Sequence, residues 1–290
     1  MKKGRRLVRP THILLYAPEK TGALNLEESV DYLSSLLDKV KIEVRKDFIS
    51  HSLEGTAPEQ KEGFIARLAH DLARTKVRNI LKPDFSFPPL YGEIRYEEER
   101  IREPGSKPSG IFYDGFQLQE VFWSLIPREE ANLNHMHIIF TGQLVGTWDE
   151  DDLEYHARTS IYGYPNILST TGLVEAPAKP REYYLLKQQI PAAVLDEVAI
   201  LALKEKLKGR FLDYDDPGTT EVMKGYVAQA LVGQATGFPF CQDVNCRLFN
   251  AHWQEEMLQA QLKSDYEFCP YHNEILEEIK RQAAIITNNQ

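Results

Sequence analysis

The sequence predicts an α/β fold, a mixed and mostly parallel sheet with helices on both faces. Three observations carry that expectation. The chain opens strand–helix–strand, which favours a layered sheet. Further on, apolar runs of strand length alternate with stretches of helical period. And 290 residues suffice to bury a substantial core as a single domain spanning 1–290.

The elements follow in order. HILLYA (His12–Ala17) is a short apolar run, read as a buried strand. NLEESVDYLSSLLDKV has apolar residues at helical spacing, and KIEVR then alternates like a strand. APEQKEGFIARLAHDLARTKVRNIL reads as a second helix. KPDFSFPPLYGE and REPGSKPSG, rich in Pro and Gly, read as loops, so residues 52–110 look like an insertion. FYDGFQLQEVFWSLI (Phe112–Ile126) reads as helix and HMHIIFT (His135–Thr141) as strand. The stretch from Thr147 reads as a charged helix start, with two short strands around Tyr164–Pro165. IPAAVLDEVAILALKEKLKGR reads as a long helix. DDPGTTEVMKGYVAQALVGQATG reads as another, with Thr219 or Thr220 as N-cap and Gly237 as its stop. A last helix runs from about Tyr271 to Ala284.

Composition excludes several classes of function. A net charge of −9 argues against sequence-independent nucleic-acid binding, which needs a basic face. The one basic cluster, MKKGRRLVR, lacks the apolar core of a secretion signal and reads as a solvated tail. No stretch has the length of a membrane span. Three cysteines cannot pair evenly, and all lie close together near the carboxyl end. That suits a metal site in a reducing cytoplasm better than disulfides.

Cys241-x4-Cys246 and Cys269-x2-His272 form two pairs at ligand spacing. Closed structural zinc sites use four Cys/His ligands, often as two such pairs, so residues 241–272 read as a structural zinc segment. His252 is the rival fourth ligand; His272 is preferred because it forms a compact knuckle with Cys269.

From Cys241 to Leu276 the chain resembles the carboxyl end of the archaemetzincins. That family places a cysteine, four residues and a second cysteine directly after its catalytic HExxHxxGxxH motif, with a final ligand pair beyond. The final pair there is usually Cys-x2-Cys, so His272 departs from the pattern. Laid back from Cys241 without gaps, the motif falls on ALVGQATGFPF. The first histidine meets Ala230 and the glutamate Leu231; the second and third histidines meet Gln234 and Phe240. Only the glycine survives, as Gly237, and the family's following methionine meets Leu248. The resemblance thus implies a metzincin-like frame with a degenerate motif and an apolar filling. It also implies an edge strand near IYGYPNILSTTGLVEAP able to pair with an extended peptide. Ala230, Leu231 and Phe240 supply neither ligand nor general base for a zinc-bound water. The expectation is a non-catalytic chain with one structural zinc that binds an extended peptide or protein partner. The rival is a metallohydrolase whose metal has moved.

Two places could hold that moved metal. His135 and His137 share one face of a strand, although they also read as polar residues at a strand's start. Asp149, Glu150, Asp151, Asp152, Glu154 and His156 form an acidic run in which Asp152 and His156 would lie one helical turn apart. Thr147 and Glu150 have capping-box spacing, which explains the same run as a helix start. Lys179 and Arg181 could meet a carboxylate, or mark a plain surface connection.

Overall fold

The computed structural model describes residues 7–20, 22–83, 87–107, 110–191 and 195–287. The basic amino-terminal run therefore lies mostly outside the described residues. So do parts of the two Pro- and Gly-rich loops and the start of the predicted long helix.

The opening reads β1 (His12–Tyr16), α1 (Leu26–Leu36) and β2 (Lys41–Arg45), as the sequence predicts. Asn25 caps α1 by accepting from the backbone N–H of Glu27 and Glu28. Three helices follow: α2 (Phe48–Glu54), α3 (Pro58–Arg74) and α4 (Tyr91–Arg102). They lead to β3 (Phe112–Asp114), α5 (Gly115–Leu125) and β4 (His135–Thr141). A hairpin of β5 (Leu144–Asp149) and β6 (Glu154–Arg158) precedes β7 (Ser160–Ile161) and β8 (Asn166–Ser169). Then come α6 (Thr170–Glu175), α7 (Arg181–Gln189), α8 (Glu197–Lys206) and α9 (Thr219–Thr236). The chain closes with α10 (Gln254–Leu258), a π-helical turn at Gln259–Lys263, and α11 (Pro270–Thr287).

The main sheet has the order β2-β1-β4-β8-β7, parallel throughout except for β7, which runs antiparallel to β8 at the edge. A smaller sheet, β3-β5-β6, pairs β3 parallel and β6 antiparallel to β5. Side chains alternate across the main sheet. Ile13, Leu15, Met136, Ile138, Phe140 and Leu168 join a core built on α1, α9 and the carboxyl-terminal segment. Leu14, Tyr16, Ile139 and Ile167 join a second core under α2, α3 and α5. Helix α9 is buried along most of its length, and its two charged side chains, Glu221 and Lys224, are half-buried near its start and pair with each other.

The structure corrects several local expectations. Phe112–Asp114 are strand, and α5 begins only at Gly115, with Asp114 capping it through the Gln117 N–H. The predicted charged helix start at Thr147 is the β5–β6 hairpin. Val145, Thr147 and Trp148 pair across to Arg158, His156 and Tyr155, and the carboxylates cluster in the turn. Thr219 and Thr220 lie inside α9 rather than capping it; the cap is Gly218. The Thr220 hydroxyl instead donates to the Ala23 carbonyl and accepts from the Asn25 N–H, joining α9 to the loop before α1. Helix α4, unforeseen, carries a fully buried carboxylate. Glu97 lies 2.6 Å from Lys76 Nζ and 2.8 Å from the Arg100 guanidinium, and accepts from Tyr113 Oη at 2.8 Å. These partners hold it below the usual carboxylate range despite its burial.

Removing Glu97 leaves Lys76 without its carboxylate and Arg100 with only the more distant Glu19, 3.4 Å away, in the interior. Glu97→Ala is expected to destabilise the chain by about 3–5 kcal/mol. Denaturant midpoints of the variant and the parent chain check this, and a shift near zero would show that Lys76 and Arg100 find other partners.

Candidate functional site

Two features stand next to each other at the end of α9. One is a cluster of metal-ligating atoms, the other a groove along a sheet edge.

The cluster is built by three short devices. Past α9 the chain reaches Cys241, whose N–H bonds to the Leu248 carbonyl at 2.8 Å, closing a loop that returns Cys246 alongside. Within that loop the Cys246 N–H bonds to the Asp243 carbonyl. Cys269 directly precedes Pro270, the first residue of α11, so His272 projects from the first turn. The ligand atoms of Cys241, Cys246, Cys269 and His272 all lie within 4.8 Å of one another. Cys241 Sγ is 3.8 Å from Cys269 Sγ, and His272 Nδ1 is 3.8 Å from Cys246 Sγ and 3.2 Å from Cys269 Sγ.

These separations can be tested against a tetrahedral ion. With metal–sulfur bonds near 2.3 Å and metal–nitrogen bonds near 2.0 Å, the tetrahedron's edges come to about 3.8 Å for S···S and about 3.5 Å for S···N. The observed distances fit, and are far too long for a disulfide. Burial pushes the Cys246 thiol up to about 12 and raises Cys241, while burial lowers His272. Burial thus favours the neutral thiols of Cys241 and Cys246, and a bound cation would reverse that preference by stabilising thiolates. The rival His252 is elsewhere, with its ring beside Asn250 on the wall of the groove.

The groove has a volume of about 820 Å³. One wall is the segment His156–Tyr162, which leaves β6 of the small sheet, bends at Thr159 and enters β7 of the main sheet. The floor is α9, through Tyr226 and Gln229, and the far side is Ala176–Ala178 and the Phe249–His252 loop. These two far segments are tied together: the Ala178 N–H bonds to the His252 carbonyl, and Gln254 N–H to that of Ala178, each at 2.8 Å. Pro239 and Phe240 close one end. The return of the chain over the last turn of α9 depends on two glycines. Gly237 ends the helix with φ of 80°, a conformation only glycine takes cheaply. At Gly233 a side chain would meet Pro239 at 3.1 Å.

The aligned motif residues separate here. Ala230 and Leu231 are fully buried in the main core and do not line the groove. Gln234 points away from it, with Nε2 donating to the Leu133 carbonyl at 3.0 Å. Phe240 does line it, packed edge-on against Tyr162 and Phe238. The expectation of an apolar filling therefore holds for Phe240, but the groove face of α9 is Tyr226 and Gln229. Gln229 is satisfied on both sides, accepting from Tyr162 Oη and donating to the Phe249 carbonyl. Sequence reading missed Tyr162, Tyr226 and Gln229. The i, i+3 spacing of Tyr226 and Gln229 on one helix was the available signal, though it resembled ordinary core periodicity.

The other candidates resolve differently. His135 stacks on His12, with centroids 4.8 Å apart, and its Nδ1 meets Asn132. His137 is fully buried, its Nδ1 3.0 Å from Tyr16 Oη and its Nε2 3.3 Å from the Glu130 carbonyl. Asp149, Asp152 and His156 do converge, within 4.8 Å, through the hairpin turn rather than along a helix. His156 Nε2 lies 3.0 Å from Asp152 Oδ2, out of line for a hydrogen bond. Asp149 accepts from the N–H groups of Asp151 and Asp152, which hold its carboxyl low. Glu150, Asp151 and Glu154 complete this acidic tip. Lys179 lies 3.8 Å from Glu175 and over the Tyr183 ring; Arg181 lies over Trp253. Both are engaged in packing. The segment STTGLVEAP is not an edge strand but the cap and body of α6, with Ser169 accepting from the Gly172 N–H; β6 and β7 are the terminal strands of their two sheets.

Over residues 9–279 the chain matches the family described as "Probable metallopeptidase family" (DUF6775), and it belongs to that family. No curated protein and no solved structure matches it. A metallopeptidase family implies a metal, and the Cys241–Cys246–Cys269–His272 cluster could hold one ion.

His137 gives a pH dependence with a definite sign. Burial lowers its folded pKa to about 4, against the ordinary 6.5. Between those values the unfolded chain binds the extra proton, so stability rises with pH through that window. From this group alone, stability is expected to fall by about 2 kcal/mol between pH 7 and pH 5. Urea unfolding of the parent chain and of His137→Gln at both pH values isolates the contribution; equal losses in the two would show that His137 does not carry it.

Proposed function

We propose that this chain is an archaemetzincin-like member of its family that has lost the catalytic zinc ligands. In this reading Cys241, Cys246, Cys269 and His272 hold one structural zinc ion, and the groove beside them binds an extended peptide or protein segment without cleaving it. The observation that carries the reading is the chemistry of the groove's inner surface. A zinc peptidase needs three protein ligands and a general base there. Helix α9 offers Tyr226 and Gln229, and the returning chain offers Phe240. Beside it β6 and β7 are terminal strands of two different sheets, paired among the described residues with β5 and β8, and each offers a short stretch of backbone to an extended segment. The thiols of a Cys3His site suit a reducing compartment, and we place the protein in the cytoplasm. No described helix is long and apolar enough to cross a membrane.

A second reading is an active metallohydrolase with a relocated ion on Asp149, Asp152 and His156. It is favoured by one observation: these ligand atoms converge and His156 lines the groove. The metal count separates the two.

Elemental analysis of the untagged chain is expected to give one zinc per chain, and Cys246→Ser to lower that close to zero. Chelation is expected to cost the carboxyl-terminal segment its packing, because binding energy at a structural zinc site is folding energy. Two metals per chain, with the second lost in Asp152→Asn and peptide hydrolysis lost with it, would replace this reading with the relocated enzyme. No metal in the intact chain would remove the structural zinc.

A further inference from the structure

Arg158, half-buried on the groove wall, carries a charge that the protein leaves unmatched. Its Nε donates to Thr147 Oγ1 at 2.9 Å, and among the described residues no carboxylate pairs with its two terminal nitrogens. Arg45, Arg100 and Arg247, by contrast, are all ion-paired. The carboxylate on the opposite wall, Glu175, already accepts from Tyr214 Oη and lies 3.8 Å from Lys179. On the hairpin of Arg158 itself, Asp149 and Glu154 stand beyond the Thr147–His156 pair, and Asp149 accepts from the N–H groups of Asp151 and Asp152.

The backbone that presents Arg158 is pinned. At the bend the Ser169 N–H donates to the Thr159 carbonyl at 2.8 Å, and Thr159 Oγ1 donates to the Gly172 carbonyl at 3.2 Å. Helix α6 packs so closely there that any side chain at Gly172 would collide with the Arg158 carbonyl oxygen. With the backbone held and Nε tethered, Nη1 and Nη2 are left to form the planar fork that takes a carboxylate through parallel hydrogen bonds.

We propose that the segment bound in this groove carries an acidic side chain, Asp or Glu, that pairs with Arg158. This rests on the peptide-binding reading above and adds the chemistry of the occupant. A segment that fills the groove takes water away from Arg158, and a guanidinium covered without an anion is strongly unfavourable. An acidic side chain removes that cost and gains a charge-assisted pair on a preorganised group. The other source of a carboxylate is a chain terminus. The groove is closed by Pro239 and Phe240, and Phe240 packs on Tyr162. Arg158 lies four residues before Tyr162, on the other side of the bend. A carboxyl terminus seated at the closed end would therefore meet aromatic rings, while a segment passing Arg158 meets the guanidinium with a side chain.

The test begins with selection from a display library of random short peptides on the immobilised full chain. Enrichment of Asp and Glu over the input library is expected, and its loss when the selection is repeated on Arg158→Leu. The best binder is then labelled for fluorescence anisotropy. Replacing its acidic residue by Asn or Gln is expected to weaken binding to the parent chain by about tenfold or more, and to leave binding to Arg158→Leu unchanged. Arg158→Lys should keep a weaker acidic preference, since an ammonium lacks the fork, and the preference should fade as salt rises. The change on the peptide is read on the unaltered chain, so the result stands however Arg158→Leu folds. Binders without acidic enrichment, or an acidic preference that persists in a folded Arg158→Leu, would overturn this inference and leave the peptide-binding reading intact. Weakening on amidation of the peptide's carboxyl terminus, with none on loss of the acidic side chain, would overturn the side-chain assignment in favour of a terminus. No peptide that binds saturably would overturn both readings.

Discussion

Three thiols and one imidazole meeting within 4.8 Å are the constraint on which the carboxyl-terminal half is arranged. They join pieces of chain with little else in common: the segment leaving α9, the loop that returns Cys246, and the first turn of α11. Cys241, Cys246 and Cys269 are also members of the main core, packed with residues of α9 and α11. Position in the core and ligand geometry are therefore the same fact. A side chain that disturbs the cluster also disturbs the packing of α9, and α9 is the floor of the groove. The groove's shape thus depends on the cluster without any of the four residues facing it.

Much of this was legible in the sequence because the cluster and its neighbours obey local rules. Ligand spacing does not depend on the rest of the fold, so Cys241-x4-Cys246 and Cys269-x2-His272 could be paired in advance. Gly237 was legible for the same reason: a helix stop needing positive φ announces itself as glycine. The strand–helix–strand opening was legible through periodicity. What failed was whatever depended on partners far along the chain. Thr220 has the chemistry of an N-cap, but its hydroxyl serves Ala23 and Asn25, nearly two hundred positions earlier. The acidic run after Thr147 has the charges of a helix start. Yet its backbone forms the β5–β6 hairpin, whose pairing runs from Val145–Arg158 to Asp149–Glu154. Helix α4 is too polar for its period to be read, and it is held by buried charge pairs that no pattern displays.

The stretch Gly233–Cys241 shows where resemblance and geometry part. Its frame is that of a chain turning back over a helix end toward the cysteine–histidine cluster: a glycine where the helix stops, another where the return crosses it, then Cys241. The ungapped alignment puts the motif's ligands on Ala230 and Gln234, yet the helix face turned to the groove is Tyr226 and Gln229. The frame could be inferred from sequence because glycine and cysteine have few substitutes. The facing residues could not, since a helix without a marked apolar face leaves no trace of its rotation in its own composition.

That buried helix also accounts for the groove's division of labour. The part of α9 that lines the groove, Tyr226 and Gln229, gives it packing and a satisfied amide but no charge. Its imidazole, guanidinium and carboxylate groups come from the rims: His156 and Arg158 from one wall, Glu175 and His252 from the opposite one. Charges carried on a rim are solvated and act on the ends of a ligand, while a neutral floor contributes contact along its length.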